Sequence, residues 1–312
     1  MLTKEVITMS TLSLIKKLAK DNPAILSLYK LIKAEGIRHA YFWTLKKKFK
    51  DACGYDLNLS NPKGFNEKIQ WIKVYHHDPL MTQCADKYRV RSYIEEKIGG
   101  GTDLELTRMY GTWDDPEEIP FDKLPNQFVL KSNHASGQVI IVKDKCQLNR
   151  EEAVSKMKQW LKENYYYTTG EWVYKDIKPV IICEELLDDD IKDYKFYCFN
   201  GEPKFLYISE GLAKSHEQAR MNFVTLNWEK TPFQRKDYAQ FEKLPPKPVN
   251  LENMIQVANS LAQPFPFVRV DLYSIKGKTI FSELTFYPNG GFAPFYPMEW
   301  EYKVGEWLNL KE

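Results

Sequence analysis

Cysteine is scarce in this chain and badly placed for cross-linking. Cys53, Cys84, Cys146, Cys183 and Cys198 are odd in number and far apart, and none sits in a C-x-x-C spacing. That excludes a disulfide framework and a cysteine zinc site, and fits a reducing, cytoplasmic setting. His76 and His77 lack metal-type spacing to other ligands, and His39 and His216 are isolated. No stretch reaches the roughly 18 apolar residues needed to cross a bilayer. Met1 to Ser13 includes Lys4 and Glu5 and has no apolar core leading to a cleavage site, so no signal peptide is expected. There is no internal repeat, no low-complexity tract and no G-x-x-x-x-G-K-[ST] phosphate loop.

What is present is ordinary globular composition: 312 residues, 43% hydrophobic and 28% charged, enough for a large core and for several subdomains. The net charge of +2 conceals an asymmetry, because residues 1–50 carry eleven Lys/Arg against three Asp/Glu. From Leu12 to Lys50 apolar residues recur at helical spacing, broken at Asn22-Pro23 and Glu35-Gly36. Lysines interleaved with aromatic and aliphatic residues suit an anionic membrane surface and suit a solvated helical face equally. Nucleic acid is the weaker reading, since the basic excess stops short of the body.

Further on, helices are expected over 65–75, 79–97, 150–165 and 251–262, with Gly99 to Gly101 ending the second. Strands are expected at 128–131, 138–142, 178–187, 196–199 and 204–208, and Asn200-Gly201 is a strong hairpin signal. The class is α+β with mostly antiparallel sheet. The boundaries read as a basic helical region over 1–55, an N-terminal lobe over 56–124, a flap-bearing subdomain over 125–185 and a core subdomain over 186–312.

Arg269 to Gly291 reads as two strands around a turn at Gly277. With Lys276-Gly277-Lys278 as a three-residue loop, Asp271 stands opposite Glu283 and Arg269 opposite Thr285. Directly opposed like charges destabilise an antiparallel pair, so a cation between them is expected. An all-oxygen donor set favours magnesium or manganese. Two unrelated acids on a solvated face are the plainer alternative, weakened by apolar neighbours Val270, Leu272, Phe281 and Leu284. Upstream, Lys131 ends a strand and meets a loop of small or amide residues, Ser132 to Gly137, whose backbone N–H groups suit a phosphate chain. A lysine at a strand end is commonly just solvated. On the expected 79–97 helix Lys87 and Arg91 share one face, toward phosphate or toward solvent. His134 assists phosphoryl transfer or caps the loop, and capping is favoured.

Taken in order, these pieces resemble the ATP-grasp superfamily, and in detail the teichuronopeptide-biosynthesis-like ATP-grasp proteins of bacterial polysaccharide clusters. The resemblance is carried by Asn66 to Trp71, Ala85 to Tyr88, Leu124 to Lys131, Ile182 to Leu186, Asp193 to Phe205 and Glu283 to Phe286. It implies an ATP-grasp fold of mostly antiparallel sheets with flanking helices, behind the N-terminal helical region. It implies that Lys131 holds the ATP phosphates, with Ser132, Ser136 and Gly137 closing over them and Lys87 beside them. Glu184, Glu185 and Leu186 would meet adenine and Asp193 the ribose. Lys195 would reach the phosphates, Asp271 and Glu283 would bind magnesium, and Arg269 would stabilise the transferred phosphoryl group. Many members carry Glu-x-Asn on the last strand, whereas position 285 here is Thr, so the further ligand would be Thr285 itself, weakly or through water, or Asn289.

The activity so implied is ATP-dependent carboxylate–amine ligation through an acyl phosphate. The acyl donor would be a uronic acid of a surface polysaccharide and the amine an amino acid or amino alcohol. Gly290 to Phe295 is the candidate acceptor loop, and the chain would work in the cytoplasm at the inner face of the membrane. Rival readings are a sugar-nucleotide-dependent glycosyltransferase, which would use Asp188-Asp189-Asp190 as its D-x-D, and a non-catalytic glycan-binding protein.

Overall fold

The computed structural model describes residues 41–98, 103–187, 191–211 and 219–310 in two compact units divided after Leu57. The expected helices of 12–40, the glycines Gly99 to Gly101, the triplet Asp188 to Asp190 and His216 lie outside the described residues. In the first unit, residues 41–53 form a helix, α1, with Leu45, Phe49 and Cys53 buried.

The second unit holds helices α2 (Phe65–Tyr75), α3 (Pro79–Ala85), α4 (Val90–Ile98), α5 (Arg150–Trp160), α6 (Tyr165–Thr169), α7 (Leu251–Ala262) and α8 (Glu299–Glu306). Its strands are β1 (Leu104–Leu106), β2 (Met109–Trp113), β3 (Phe128–Ser132), β4 (Val139–Val142), β5 (Ile181–Glu184), β6 (Asp193–Phe199), β7 (Glu202–Glu210), β8 (Arg220–Thr225), β9 (Phe267–Ile275) and β10 (Lys278–Thr285). They build a four-stranded sheet, β2-β5-β3-β4, and a six-stranded one, β1-β10-β9-β6-β7-β8. Every pairing between these strands is antiparallel except β1 with β10. The mostly antiparallel α+β class is therefore as expected.

Alternation along the strands sorts their two faces. In the small sheet Phe128, Leu130, Ile181 and Cys183 bury against Ala153, Met157 and Trp160 of α5. One face of the large sheet, with Phe196, Val268, Val270 and Leu272, packs on α7, whose Leu251, Met254, Val257, Ala258 and Leu261 are buried. The other face is aromatic at one end, where Tyr197, Phe199, Phe205 and Phe267 meet Phe65, Phe295 and Trp307. Its opposite end is charged and faces the small sheet.

Several expected elements are shorter than the sequence suggests. The 79–97 helix is two helices: the Asp86 carboxylate accepts from the Tyr88 and Arg89 backbone N–H groups at 2.9 and 3.2 Å, restarting the chain as a helix cap does. Lys87 thus lies in the break and shares no helix face with Arg91. The 150–165 helix ends at Trp160, and Asn164 caps the short α6 through the Tyr166 N–H. Of the 178–187 strand only Ile181–Glu184 pairs. Asn200 and Gly201, with φ of 48° and 89°, form the anticipated two-residue hairpin turn.

Candidate active site

The charged end of the large sheet and the inner face of the small sheet enclose a cleft of about 430 Å³. From the small sheet come Val129, Lys131, Val139, Ile141 and Glu184. From the large sheet come Asp193, Lys195, Ser209, Tyr273 and Glu283, and Lys87 and Arg91 close one side.

Placement of the paired acids depends on one irregularity. The hairpin turn holds two residues, Lys276 and Gly277, with φ of 53° and 80°, and not three. Near the turn Phe281 pairs with Leu272; a bulge at Ser282 then shifts the ladder, so that Glu283 pairs with Asp271 and Thr285 with Arg269. The pairing expected from sequence is reached by a shorter turn plus a bulge. Without the shift Ser282 would face Asp271 and Glu283 would point to the opposite side.

The cation between the two acids comes from the chain itself. Arg269 grips Asp271 with both arms, Nε to Oδ1 at 2.7 Å and Nη2 to Oδ2 at 2.6 Å. Its Nη2 also reaches Thr285 Oγ1 at 3.0 Å and Glu283 Oε1 at 3.4 Å. Lys195 Nζ lies 2.6 Å from Asp271 Oδ2 and 3.4 Å from Asp193. Asp271 has no exposed surface, so an ionised carboxylate there requires these partners. Burial pushes its carboxyl up, against the pull of Arg269 and Lys195. Burial likewise opposes the charge on Lys195, and Asp271 overrides it, raising the ammonium well above its ordinary range. For Glu283, burial is outweighed by Lys195, Lys87 and Arg269, which hold the carboxyl at about 2.

On the facing sheet Lys131 Nζ donates to Glu184 Oε2 at 2.9 Å, and Arg91 donates to Glu184 Oε1 at 3.3 Å and to the Thr107 carbonyl at 2.8 Å. Burial works against the Lys131 charge, but Glu184 carries the balance upward. The Glu184 carboxylate therefore orients Lys131, and Glu185 and Leu186 lie just beyond the strand end on the cleft wall. Lys87 Nζ donates to the Ala135 carbonyl of the flap loop at 2.6 Å; burial and the nearby Lys131 lower its pKa, which Glu283 offsets in part.

The flap loop is only partly arranged for a phosphate. Gly137, at φ +76°, lines the cleft. Ser132 turns away: its hydroxyl is fully buried without a partner and its N–H is given to the Gln138 carbonyl. Ser136 is exposed and bonds to Tyr165. Asn133, expected only as one of the loop residues whose backbone suits phosphate, instead pins the loop with its side chain, donating to Asp86 at 3.0 Å and the Lys178 carbonyl at 3.0 Å while accepting from Val180 N–H at 2.8 Å. His134 is buried against the Trp160 and Glu163 carbonyls past the end of α5, which is the capping role.

As a divalent-ion site the residues divide. Glu283 fits: it borders the cleft, its side chain is 40% exposed, and one oxygen meets no cation among the described residues. Asp271, fully buried and like Arg269 outside the cleft lining, fits only after its cations pass to other anions, since Oδ1 takes Arg269 Nε and Oδ2 takes both Arg269 Nη2 and Lys195 Nζ. Asn289 does not fit, because its Oδ1 accepts from Arg235 Nη1 and it stands outside the cleft lining. Among the described residues no three His, Cys, Asp or Glu close on one point.

Two facing sheets gripping a cleft lined by Lys131, Lys195 and Glu283, with a loop lid between strands, define an ATP-grasp protein. The chain belongs to the TupA-like ATPgrasp family, whose model matches residues 67–309. No curated protein matches it. Among solved structures it is similar to D-alanine–D-alanine ligase from Bacillus anthracis complexed with ATP, at 17% identity over 65% of this chain and 53% of that chain, TM-score 0.38. It is also similar to L-amino acid ligase from Bacillus licheniformis, at 15% identity over 72% and 49%, TM-score 0.44. A third is the ATP-grasp ligase PsnB complexed with minimal precursor, Mg and ADP, at 13% identity over 71% and 57%, TM-score 0.37. The chain spans about half the length of these structures.

Proposed function

We propose that this chain is an ATP-dependent carboxylate–amine ligase that releases ADP, with a uronic acid of a bacterial surface polysaccharide as acyl donor and an amino acid or amino alcohol as acceptor. The observation that carries the reading is the convergence of Lys87, Lys131 and Lys195 on one cleft with Glu283 opposite. Three ammonium groups meet a triphosphate, and an apolar wall of Val129, Val139, Ile141 and Leu186 suits a base.

In this reading the substrate carboxylate attacks the γ-phosphorus and ADP leaves. The amine then attacks the acyl phosphate, forming the amide and releasing phosphate. Lys131, once freed from Glu184, binds phosphate, and Lys195, held by Asp271, faces the transferred group, with Arg269 behind it on the same sheet face. Glu283, joined by Asp271 once its cations turn to phosphate, would hold magnesium, which would supply charge neutralisation to the phosphates. Positioning and fixed charge supply the rate, so no nucleophilic side chain is needed. The basic excess over residues 1–50 supports a lipid-linked or polyanionic substrate met at the cytoplasmic face of the membrane.

The test incubates the full chain with ATP, magnesium, a panel of uronic acids and a panel of amines, following ADP and product mass. ADP release that requires both co-substrates, with an amide product, is the expected result. No ADP with any pair, or sugar transfer from a nucleotide sugar, overturns the reading.

A further inference from the structure

The helix α1 has two unlike sides. At 3.6 residues per turn, Leu45, Phe49 and Cys53 share the buried side, at 5%, 0% and 1% exposure. Lys46, Lys50, Trp43 and Lys47 fall on one adjacent arc away from it, all exposed. Trp43 is 67% exposed, the most exposed tryptophan described. Lys47 Nζ lies 5.7 Å from its ring centroid, so the indole is bordered by charge and not covered.

A row of lysines alone is usually a solvated face. The indole in the middle of this row argues otherwise, because at 67% exposure most of its apolar area stays in water, where burial would be favourable. An indole ringed by ammonium groups matches the headgroup layer of a bilayer, where the ring lies among glycerol and acyl carbons while flexible lysine stems lift their charges to lipid phosphates. Asp51 borders the arc, and Asp56 pairs with Lys50 at 3.0 Å, both side chains being open to solvent. An exposed pair of this kind exchanges readily for another anion. The charge excess over residues 1–50, eleven basic against three acidic, has the same sign.

We propose that the Trp43, Lys46, Lys47 and Lys50 face of α1 docks on an anionic lipid bilayer, with the indole in the headgroup layer. The proposal extends the placement of the proposed ligase at the membrane, but its test is independent of ADP release.

The full chain is sedimented with vesicles of phosphatidylglycerol and phosphatidylcholine in a 1:3 ratio, and with phosphatidylcholine alone. Binding is expected to the first and to be weak to the second. Each lysine near an anionic surface contributes about fivefold, so K46Q/K47Q/K50Q should weaken binding about a hundredfold. K48Q removes the same charge from another side of the helix and should cost about fivefold or less. Trp43→Ser should weaken binding too, and the blue shift of tryptophan emission on adding vesicles should vanish in Trp43→Phe. Thermal midpoints matching the parent show that each variant folds. Absence of binding to the anionic vesicles, equal losses in K48Q and the triple variant, or tight binding to duplex DNA with none to vesicles would each overturn the proposal.

Discussion

One face of the six-stranded sheet carries two opposite chemistries side by side. At one end Tyr197, Phe199, Phe205 and Phe223 pack edge-on or tilted against Phe65, Phe233 and Phe295, at centroid distances such as 5.0, 5.3 and 5.8 Å. At the other, along the same strands, Asp193, Lys195, Asp271, Glu283 and Arg269 form a chain of ion pairs. The strands are common to both ends, so the difference lies in what covers them: α2 and the 295–307 segment over the rings, an open cleft over the charges. Tyr207 stands at the seam, its ring 5.7 Å from the Arg269 guanidinium. The aromatic end keeps water away from Arg269 and Asp271, which strengthens their pairing and makes either one costly without the other.

Replacing Asp271 by Asn should break this division most severely. It removes the main anion of two buried cations and leaves them only Glu283 and Asp193, each at 3.4 Å, so a stability loss of about 3–5 kcal/mol is expected in urea unfolding, together with loss of ADP release. Retained stability would show that Arg269 and Lys195 find other anions. In the aromatic half, Phe199→Ala should cost a similar amount, about 3–5 kcal/mol, yet below its unfolding midpoint it should bind nucleotide like the parent. Equal damage to nucleotide affinity would mean that the two halves are not separable. Lys131→Ala should weaken ATP binding at least about tenfold, as loss of a charge-assisted contact of about 1.5–3 kcal/mol implies, with little change in stability, read by calorimetric titration. Thr285→Val removes the hydroxyl shared by Arg269 and Glu283 and should cost about 0.5–1.5 kcal/mol.

The last effect is in pH. Glu283 falls from an ordinary 4.5 to about 2, so its charge favours the folded state above pH 4.5 and that contribution fades as pH drops toward 2. The stability difference between the parent and Glu283→Gln should therefore be flat from pH 7 to 5 and shrink below 4.5. A change starting near pH 6 would contradict the depressed value.

Periodicity and turn chemistry made the regular parts legible from sequence. The bounds of α2 and α7 follow the apolar spacing, and Asn200-Gly201 announces its turn. What sequence did not disclose was cross-chain compensation. The paired acids are readable as a conflict, and Arg269 stands two residues from Asp271 on the same face, but the full answer needs Lys195 brought to Asp271 across the β6–β9 ladder, and that geometry is tertiary. The break at Asp86 was hidden because the residues around it favour helix, and only the cap bonds and the Lys87 N–H to Asn133 carbonyl contact at 3.1 Å interrupt it. β8 was missed because Arg220 and Asn222 interrupt its apolar pattern; Asn222 is nonetheless buried, accepting from the Phe241 N–H at 2.9 Å. Lys276 lacks the Asn or Asp usual before Gly in a two-residue turn, which is why a three-residue loop looked preferable.

The extra residue at Ser282 makes the tip of that hairpin and its charged base independent of each other. A tip longer by one residue, combined with excision of Ser282, would leave Glu283 across from Asp271. Variation in the tip can thus be absorbed locally, and the spacing of the two acids is insulated from it.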